Sequence, residues 1–327
     1  MSRGGVPVLS EELSYVSWRD PFWKRWLMRA IENASGRRRL LPIYHRWRET
    51  VVGTNPRMMG ALLDMIGTRL DVQGPAWPIV VPPQLPLVII ANHPFGIGDG
   101  IALLALAEEL DRPYRILINS DFMKLPEIRP YALPIDFSAS REATDTNIKS
   151  RTDARRLLKE GITIVVFPAG GVATAEEPTG KAEELPWKAF TARLIQQAQA
   201  AVLPVYFEGQ NSALFHLISR YSLMLRLSLL VSEFRHFVGA TVKVHVGALV
   251  RFEELACRDD RGALTNELYA LVHRLAPDAA ALGPGHLTPR PAEGRRRYPW
   301  DPPRKIKPEL SRESGWRRSL RLARRVQ

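Results

Sequence analysis

The sequence predicts an α/β protein, a mostly parallel sheet covered by helices on both faces and preceded by a helical segment. Three observations carry this. From about residue 76, short runs rich in β-formers alternate with helical ones. The runs "LVII" (87–90) and "TIVVF" (163–167) are apolar without alternation, as strands buried on both faces are. The chain has 327 residues, 45% of them hydrophobic and 24% charged, enough for one large core.

Residues 21 to 70 read as helices. In "DPFWKRWLMRAIENASGRRR", Asp20 can cap, Pro21 suits a first turn and Gly36 an exit. Phe22, Trp23, Trp26, Leu27, Ala30 and Ile31 form one apolar stripe at helical spacing, flanked by Lys24, Arg25 and Arg29. The stripe faces either a core or a lipid interface. Residues 1–75 are thus expected to be a helical segment, and 76–280 the α/β domain. Within the latter, "PLVIIAN", "YRILINSDF", "ALPIDFS", "ITIVVFPAGG", "VLPVYFEG" and "TVKVHVGALV" read as strands. "GIALLALAEEL", "NIKSRTDARRLLKEG", "WKAFTARLIQQAQA" and "LTNELYALVHRLA" read as helices, the second ending at Gly161.

Residues 281–327 are rich in proline and arginine, from Pro284 through Arg295, Arg296 and Arg297 to the arginines around Trp316 and Leu320. They read as a basic tail, either solvated or held on an anionic surface. The formal net charge of +12 points to polyanions as partners. No nucleic-acid recognition motif accompanies it. The single cysteine, Cys257, excludes a disulfide framework. The N-terminus lacks the apolar core of a signal peptide, and "YSLMLRLSLLVSEF" carries Arg226 in its middle, so no span is expected.

The segment "IIANHPFGIGDGIALL" (89–104) is the chemically richest. Gly96, Gly98 and Gly100 stand between a strand and a helix, the context of a phosphate-cradling loop, with Asp121 ending the next strand. However, Ile101 occupies the position where a dinucleotide fingerprint needs a small residue, and the G-K-[ST] of a P-loop is absent. Alternatively, His93 and Asp99 form a catalytic pair, with a carboxylate six positions on folding back to the imidazole. A plainer reading has His93 closing the strand and Asp99 capping the helix. No G-x-S-x-G, H-E-x-x-H or C-x-x-C occurs, and no metal site is expected.

The order N-H-P-x-G-x-x-D-G, "RPYALPIDFS", "FPAGG" and "LPVYFEGQNSALF" resembles the phospholipid/glycerol acyltransferase superfamily, in particular its bacterial hemolysin-like branch. The resemblance runs over roughly residues 15 to 275 and includes "IENASGRRRLLPIYHRW". It implies a mixed, mostly parallel sheet wrapped by helices. It also implies transfer of a fatty acyl chain from acyl-CoA or acyl carrier protein, as co-substrate, to the hydroxyl of a lysolipid in membrane lipid synthesis. The acceptor would be a lysophospholipid or a lyso-aminolipid. No further cofactor is implied, and the place of action would be the inner, cytoplasmic face of the cell membrane. The alternative is a non-catalytic lipid- or nucleotide-binding protein on a related fold. By position, His93 is the general base and Asp99 its orienting partner. Phe167, Pro168 and Gly170 match the F-P-E-G block, and with Gly171, Asn92, Phe95 and Gly96 they complete the expected substrate-binding set. Gly170 and Gly171 would let backbone N–H groups approach a developing oxyanion.

Departures from the family pattern direct the reading of the acceptor. Five residues, Pro94 to Gly98, separate His93 from Asp99 where the family usually has four. Ala169 stands for the family's glutamate and Gly171-Val172 for its Thr-Arg, two side chains that hold a glycerol phosphate. Either Arg141, Lys149 and Arg151 supply the missing cation, or the acceptor carries no terminal phosphomonoester.

Overall fold

The computed structural model describes residues 36–289 apart from 139, 222 and 283, together with residues 21, 22, 25, 26 and 30. Trp23, Leu27 and Ile31 of the apolar stripe, Lys24 and Arg29 of its flank, Asp20, and the tail from residue 290 lie outside the described residues. Of the stripe, Phe22, Trp26 and Ala30 are described and exposed.

Helices α1 (Arg37–Thr50) and α2 (Met58–Met65) lead into strand β1 (Arg69–Gln73). There follow β2 (Leu87–Ala91), α3 (Ile97–Glu109), β3 (Tyr114–Asn119), β4 (Ala132–Ile135), α4 (Arg141–Lys159) and β5 (Thr163–Val166). Then come α5 (Phe190–Ala198), β6 (Ala201–Phe207), the helical hairpin α6 (Ala213–Ser219) and α7 (Leu223–Phe237), β7 (Thr241–Val246) and α8 (Arg261–His273). The sheet order is β1-β7-β6-β2-β5-β3-β4. Every pairing is parallel except β6 with β7. The fold is therefore the mixed, mostly parallel α/β sheet that the sequence predicts.

Strand β2 shows why its apolar run does not alternate. Leu87, Ile89 and Ala91 enter the core beneath α1, α2 and α3, with Trp47, Met59 and Leu103. Val88 and Ile90 enter the opposite core beneath α4, α5 and α8, with Leu158, Ile195 and Leu268. Successive side chains point to opposite faces, and both faces are covered. A third, smaller cluster joins the α6–α7 hairpin, through Phe215, Leu229 and Leu230, to Val172 and Ile97.

The sequence reading differs from the structure in three places. Residues 69–73 fall in the expected helical segment but form the sheet-edge strand β1, in register with β7 from Arg69↔Thr241 to Gln73↔His245. Arg69 and Gln73 are exposed and the three residues between them only half-buried, so "RLDVQ" carries no buried-strand signature. The segment "YSLMLRLSLLVSEF", assigned no element in the sequence reading, supplies most of α7, and α6 precedes it. Pro284, expected to deny regular structure, opens a short 3₁₀ turn to Leu287, where its fixed φ suits a helical first position. No helix among the described residues is long and apolar enough to cross a membrane.

Strands β2, β3, β4, β5 and β6 point the same way, so their C-terminal ends meet along one edge. In open α/β sheets that edge is where ligands bind. His93, Phe137, Phe167 and Glu208 each follow one of these strands there.

Candidate active site

Asn92 sets the end of β2. Its side-chain amide donates to the Phe207 carbonyl (2.9 Å), and its amide oxygen accepts the Phe207 N–H (2.7 Å). With 5% of its surface exposed, it ties β2 to β6. Its observed role is thus to brace the two strands beside the site.

His93 follows with both backbone groups fixed. Its N–H donates to Glu184 Oε1 (2.9 Å), and its carbonyl accepts the Ala173 N–H (2.8 Å). The imidazole stacks on the Phe167 ring, with centroids 4.0 Å apart. Its Nδ1 lies 3.1 Å from Asp99 Oδ1, with 16% of the His93 side chain exposed and none of Asp99. This is ion-pair proximity without hydrogen-bond alignment, and neither atom has another partner among the described residues. Such contacts are commonly loose before substrate binds. With Nδ1 toward Asp99, Nε2 is the nitrogen left for a substrate hydroxyl.

Asp99 is not the N-cap of α3. That position is Gly96, at φ 91°, and Asp99 lies in the first turn. Its Oδ2 accepts the Phe95 N–H (2.8 Å), so one oxygen organises the turn while the other faces His93. The catalytic geometry and the structural role coexist in one carboxylate.

Two glycines of this turn, Gly96 and Gly98, serve packing. A Cβ on Gly96 would lie 2.9 Å from Leu230, and one on Gly98 would lie 2.4 Å from the Phe237 ring. Side chains of α7 thus occupy the space beside Gly96 and Gly98, which accounts for these two glycines without a phosphate. Phe95 meets Phe237 edge-on at 5.9 Å. It also lines a cleft of about 520 Å³ that continues past Gly209 to Glu233 and Lys243.

The "FPAGG" block turns tightly after β5. The Gly170 N–H donates to the Phe167 carbonyl (2.9 Å), so Gly170 has no N–H to offer an oxyanion; the Gly171 N–H has no partner among the described residues. Gly170 adopts φ 68°, which glycine does without strain. The Pro168 carbonyl accepts the Lys188 N–H (3.1 Å). Ala169 is fully buried and joins the core under α4, α5 and α8. Val172 packs on α7, and its carbonyl accepts from the buried Arg226 guanidinium (2.6 Å), which also donates to Thr174 Oγ1 (2.6 Å).

The three candidate cations of α4 are not brought together. Arg141, Lys149 and Arg151 are all exposed. Two residues along a helix turn it by about 200°, so Lys149 and Arg151 lie on opposite faces. Arg141, at the helix start, is about 15 Å along the axis from Arg151. The Arg151 guanidinium rests over the Phe190 ring (5.0 Å).

Two functional candidates escape sequence reasoning. Glu184, with 5% of its side chain exposed, accepts from the His93 backbone, from Trp187 Nε1 (3.0 Å) and from His273 Nε2 (3.0 Å). Lys188 extends its ammonium to 4.4 Å from the Phe137 ring centroid. Nothing local marks either one, since each depends on partners distant in sequence.

A family model for acyltransferases matches residues 79–262, more than half of the chain and including every residue of this site. The chain belongs to the acyltransferase family. Among curated proteins, this acyltransferase is 25% identical over 161 residues to a lyso-glycine lipid O-acyltransferase of Phocaeicola vulgatus. It is 27% identical over 162 residues to a protein of the same description from Bacteroides thetaiotaomicron. The matches cover 48% of this chain and 53% and 54% of those proteins, so the chain spans about half the length of the curated relatives it matches. Among solved structures, the 1-acyl-sn-glycerophosphate acyltransferase PlsC of Thermotoga maritima aligns with a TM-score of 0.45 and 15% identity, over 84% of this chain and 99% of that one.

Proposed function

We propose that the protein transfers an acyl chain from a thioester donor, acyl-CoA or acyl carrier protein, to the hydroxyl of a lyso-aminolipid of the glycine-lipid type. The observation that carries the reading is the His93–Asp99 pair at the C-terminal edge of the sheet, in a chain of the acyltransferase family.

In this scheme His93 Nε2 takes the proton of the acceptor hydroxyl as its oxygen attacks the thioester carbonyl. Asp99 stabilises the imidazolium that forms. The tetrahedral intermediate collapses with cleavage of the C–S bond, and the departing thiolate takes the proton from His93. The ester and the free thiol are released and His93 is neutral again. Charge on the former carbonyl oxygen is met by backbone N–H groups of the turn after β5, Gly171 among those without a partner in the described residues.

The acceptor follows from the motif. "FPAGGV" has no charged side chain, and Ala169 is core, so the block carries no dedicated cage for a doubly charged phosphomonoester. The description of the two curated relatives agrees with an acceptor that has none. For attachment to the membrane face, the support is the net charge of +12 and exposed apolar side chains at Phe22, Trp26, Leu214, Leu217 and Tyr221.

A competition assay tests the reading. Purified protein receives one acyl donor with equal lyso-glycine lipid and lysophosphatidic acid. Preferential O-acylation of the glycine lipid is expected. Exclusive use of lysophosphatidic acid refutes the acceptor assignment, and transfer to neither refutes the activity.

A further inference from the structure

The turn that carries Phe167 and Gly170 is abutted by a cation that no carboxylate neutralises. A Cβ on Gly170 would sit 2.8 Å from Lys188 Nζ and 3.6 Å from the Phe137 ring. The ammonium thus occupies space left open by a glycine, above an aromatic face 4.4 Å away. The Lys188 N–H is bonded to the Pro168 carbonyl, which fixes the side chain's origin on the motif itself. Arg151 lies close enough for its charge to act on Lys188, its own head resting on Phe190. Among the described residues neither cation forms an ion pair, although the sequence provides 34 acidic residues.

Two like charges held together at a ligand-binding edge cost free energy unless an anion joins them. Desolvation, and then Arg151, lower the Lys188 pKa, the condition of a cation lacking its counter-ion. Lys188 is an exposed residue, and its ammonium lies against Gly170 and the Phe137 ring. The Phe167 ring under the His93 imidazole belongs to the same turn. An anion on Lys188 is therefore held one tight turn away from the base.

We infer that Lys188, assisted by Arg151, forms an anion subsite beside Gly170 that holds an oxyanion of a substrate, the carboxylate of a lyso-aminolipid acceptor or a phosphate of the CoA-type donor. This rests on the acyl-transfer reading. It adds a specificity-determining cation that the motif block itself lacks.

The test uses binding as well as turnover. Titration calorimetry measures the full chain with CoA alone, then with lyso-glycine lipid alone, and with the methyl ester of that lipid. Lys188→Gln is expected to weaken one of the two anionic ligands at least tenfold and leave the other unchanged, with Lys188→Arg restoring most of the loss. Loss confined to lyso-glycine lipid, together with equal affinity of Lys188→Gln for acid and methyl ester, assigns the carboxylate. Loss confined to CoA assigns the phosphate. The inference is overturned if Lys188→Gln and Arg151→Gln both bind CoA and lyso-glycine lipid within twofold of wild type while melting normally. These measurements need no turnover. An inactive protein that still shows the Lys188 dependence refutes the acyl-transfer reading alone, and an active one without it refutes the subsite alone.

Discussion

Asp99 places one oxygen 3.1 Å from His93 Nδ1 and accepts the Phe95 N–H with the other at 2.8 Å. The two oxygens have different duties, and substitutions separate them. Asp99→Asn keeps an acceptor for Phe95 but removes the charge that steadies an imidazolium. Turnover is expected to fall by ~10²–10⁴-fold with a melting temperature close to wild type. Asp99→Ala loses the acceptor as well and should be less stable by a further ~1–3 kcal/mol, read by denaturant titration. Equal stability of the two variants contradicts the division of roles.

The three glycines after His93 should respond differently to alanine. Gly98→Ala drives a methyl into the Phe237 ring, a clash expected to cost about 1–3 kcal/mol. A methyl on Gly100 meets nothing within 4 Å and lies inside α3. Gly100→Ala should gain about 0.5–1 kcal/mol from helix propensity and keep its activity. Thermal melts of both variants check this, and a loss of activity in Gly100→Ala points back to a ligand-cradling loop.

Restoring the glutamate that the superfamily pattern places at position 169 should fail. Ala169 has no exposed surface and packs among apolar side chains, so Ala169→Glu buries a carboxylate without a partner. A loss on the order of several kcal/mol is expected, seen as a large fall in denaturation midpoint. A stable, active variant would mean that this position opens onto the site.

His216 gives an acid-sensitive contribution. It is fully buried, and its Nδ1 accepts the Ala175 N–H (3.2 Å), which requires a neutral ring. Desolvation, and then the Arg226 charge, lower its pKa from the ordinary 6.5. Between the depressed folded value and 6.5 the unfolded chain binds the additional proton, so stability falls as pH drops through that window and is complete above it. Chemical denaturation across this range should show the slope in wild type and a flatter profile in His216→Gln, whose amide oxygen can accept the same N–H.

The legible parts of the molecule are those whose cause is local. Leu87 to Ile90 announce a strand covered on both faces, Gly161 with φ 81° ends α4, and His93 with Asp99 lie within one strand–turn–helix unit. Edge strand β1 is illegible because half-burial leaves "RLDVQ" without contrast, and its partner lies far along the chain at Thr241. Asn92 is conspicuous in sequence as a motif residue, but only the meeting of β2 with β6 reveals that its amide is used on Phe207. Glu184 and Lys188 carry no local signal until the fold brings one to the His93 N–H and the other to Gly170.

The most direct measurement is the rate of O-acyl product formation from an acyl thioester and lyso-glycine lipid, followed by mass spectrometry for wild type and His93→Ala. The account predicts product from wild type, and a rate lower by ~10²–10⁴-fold in a variant that melts like wild type. Equal rates in the two proteins would contradict it.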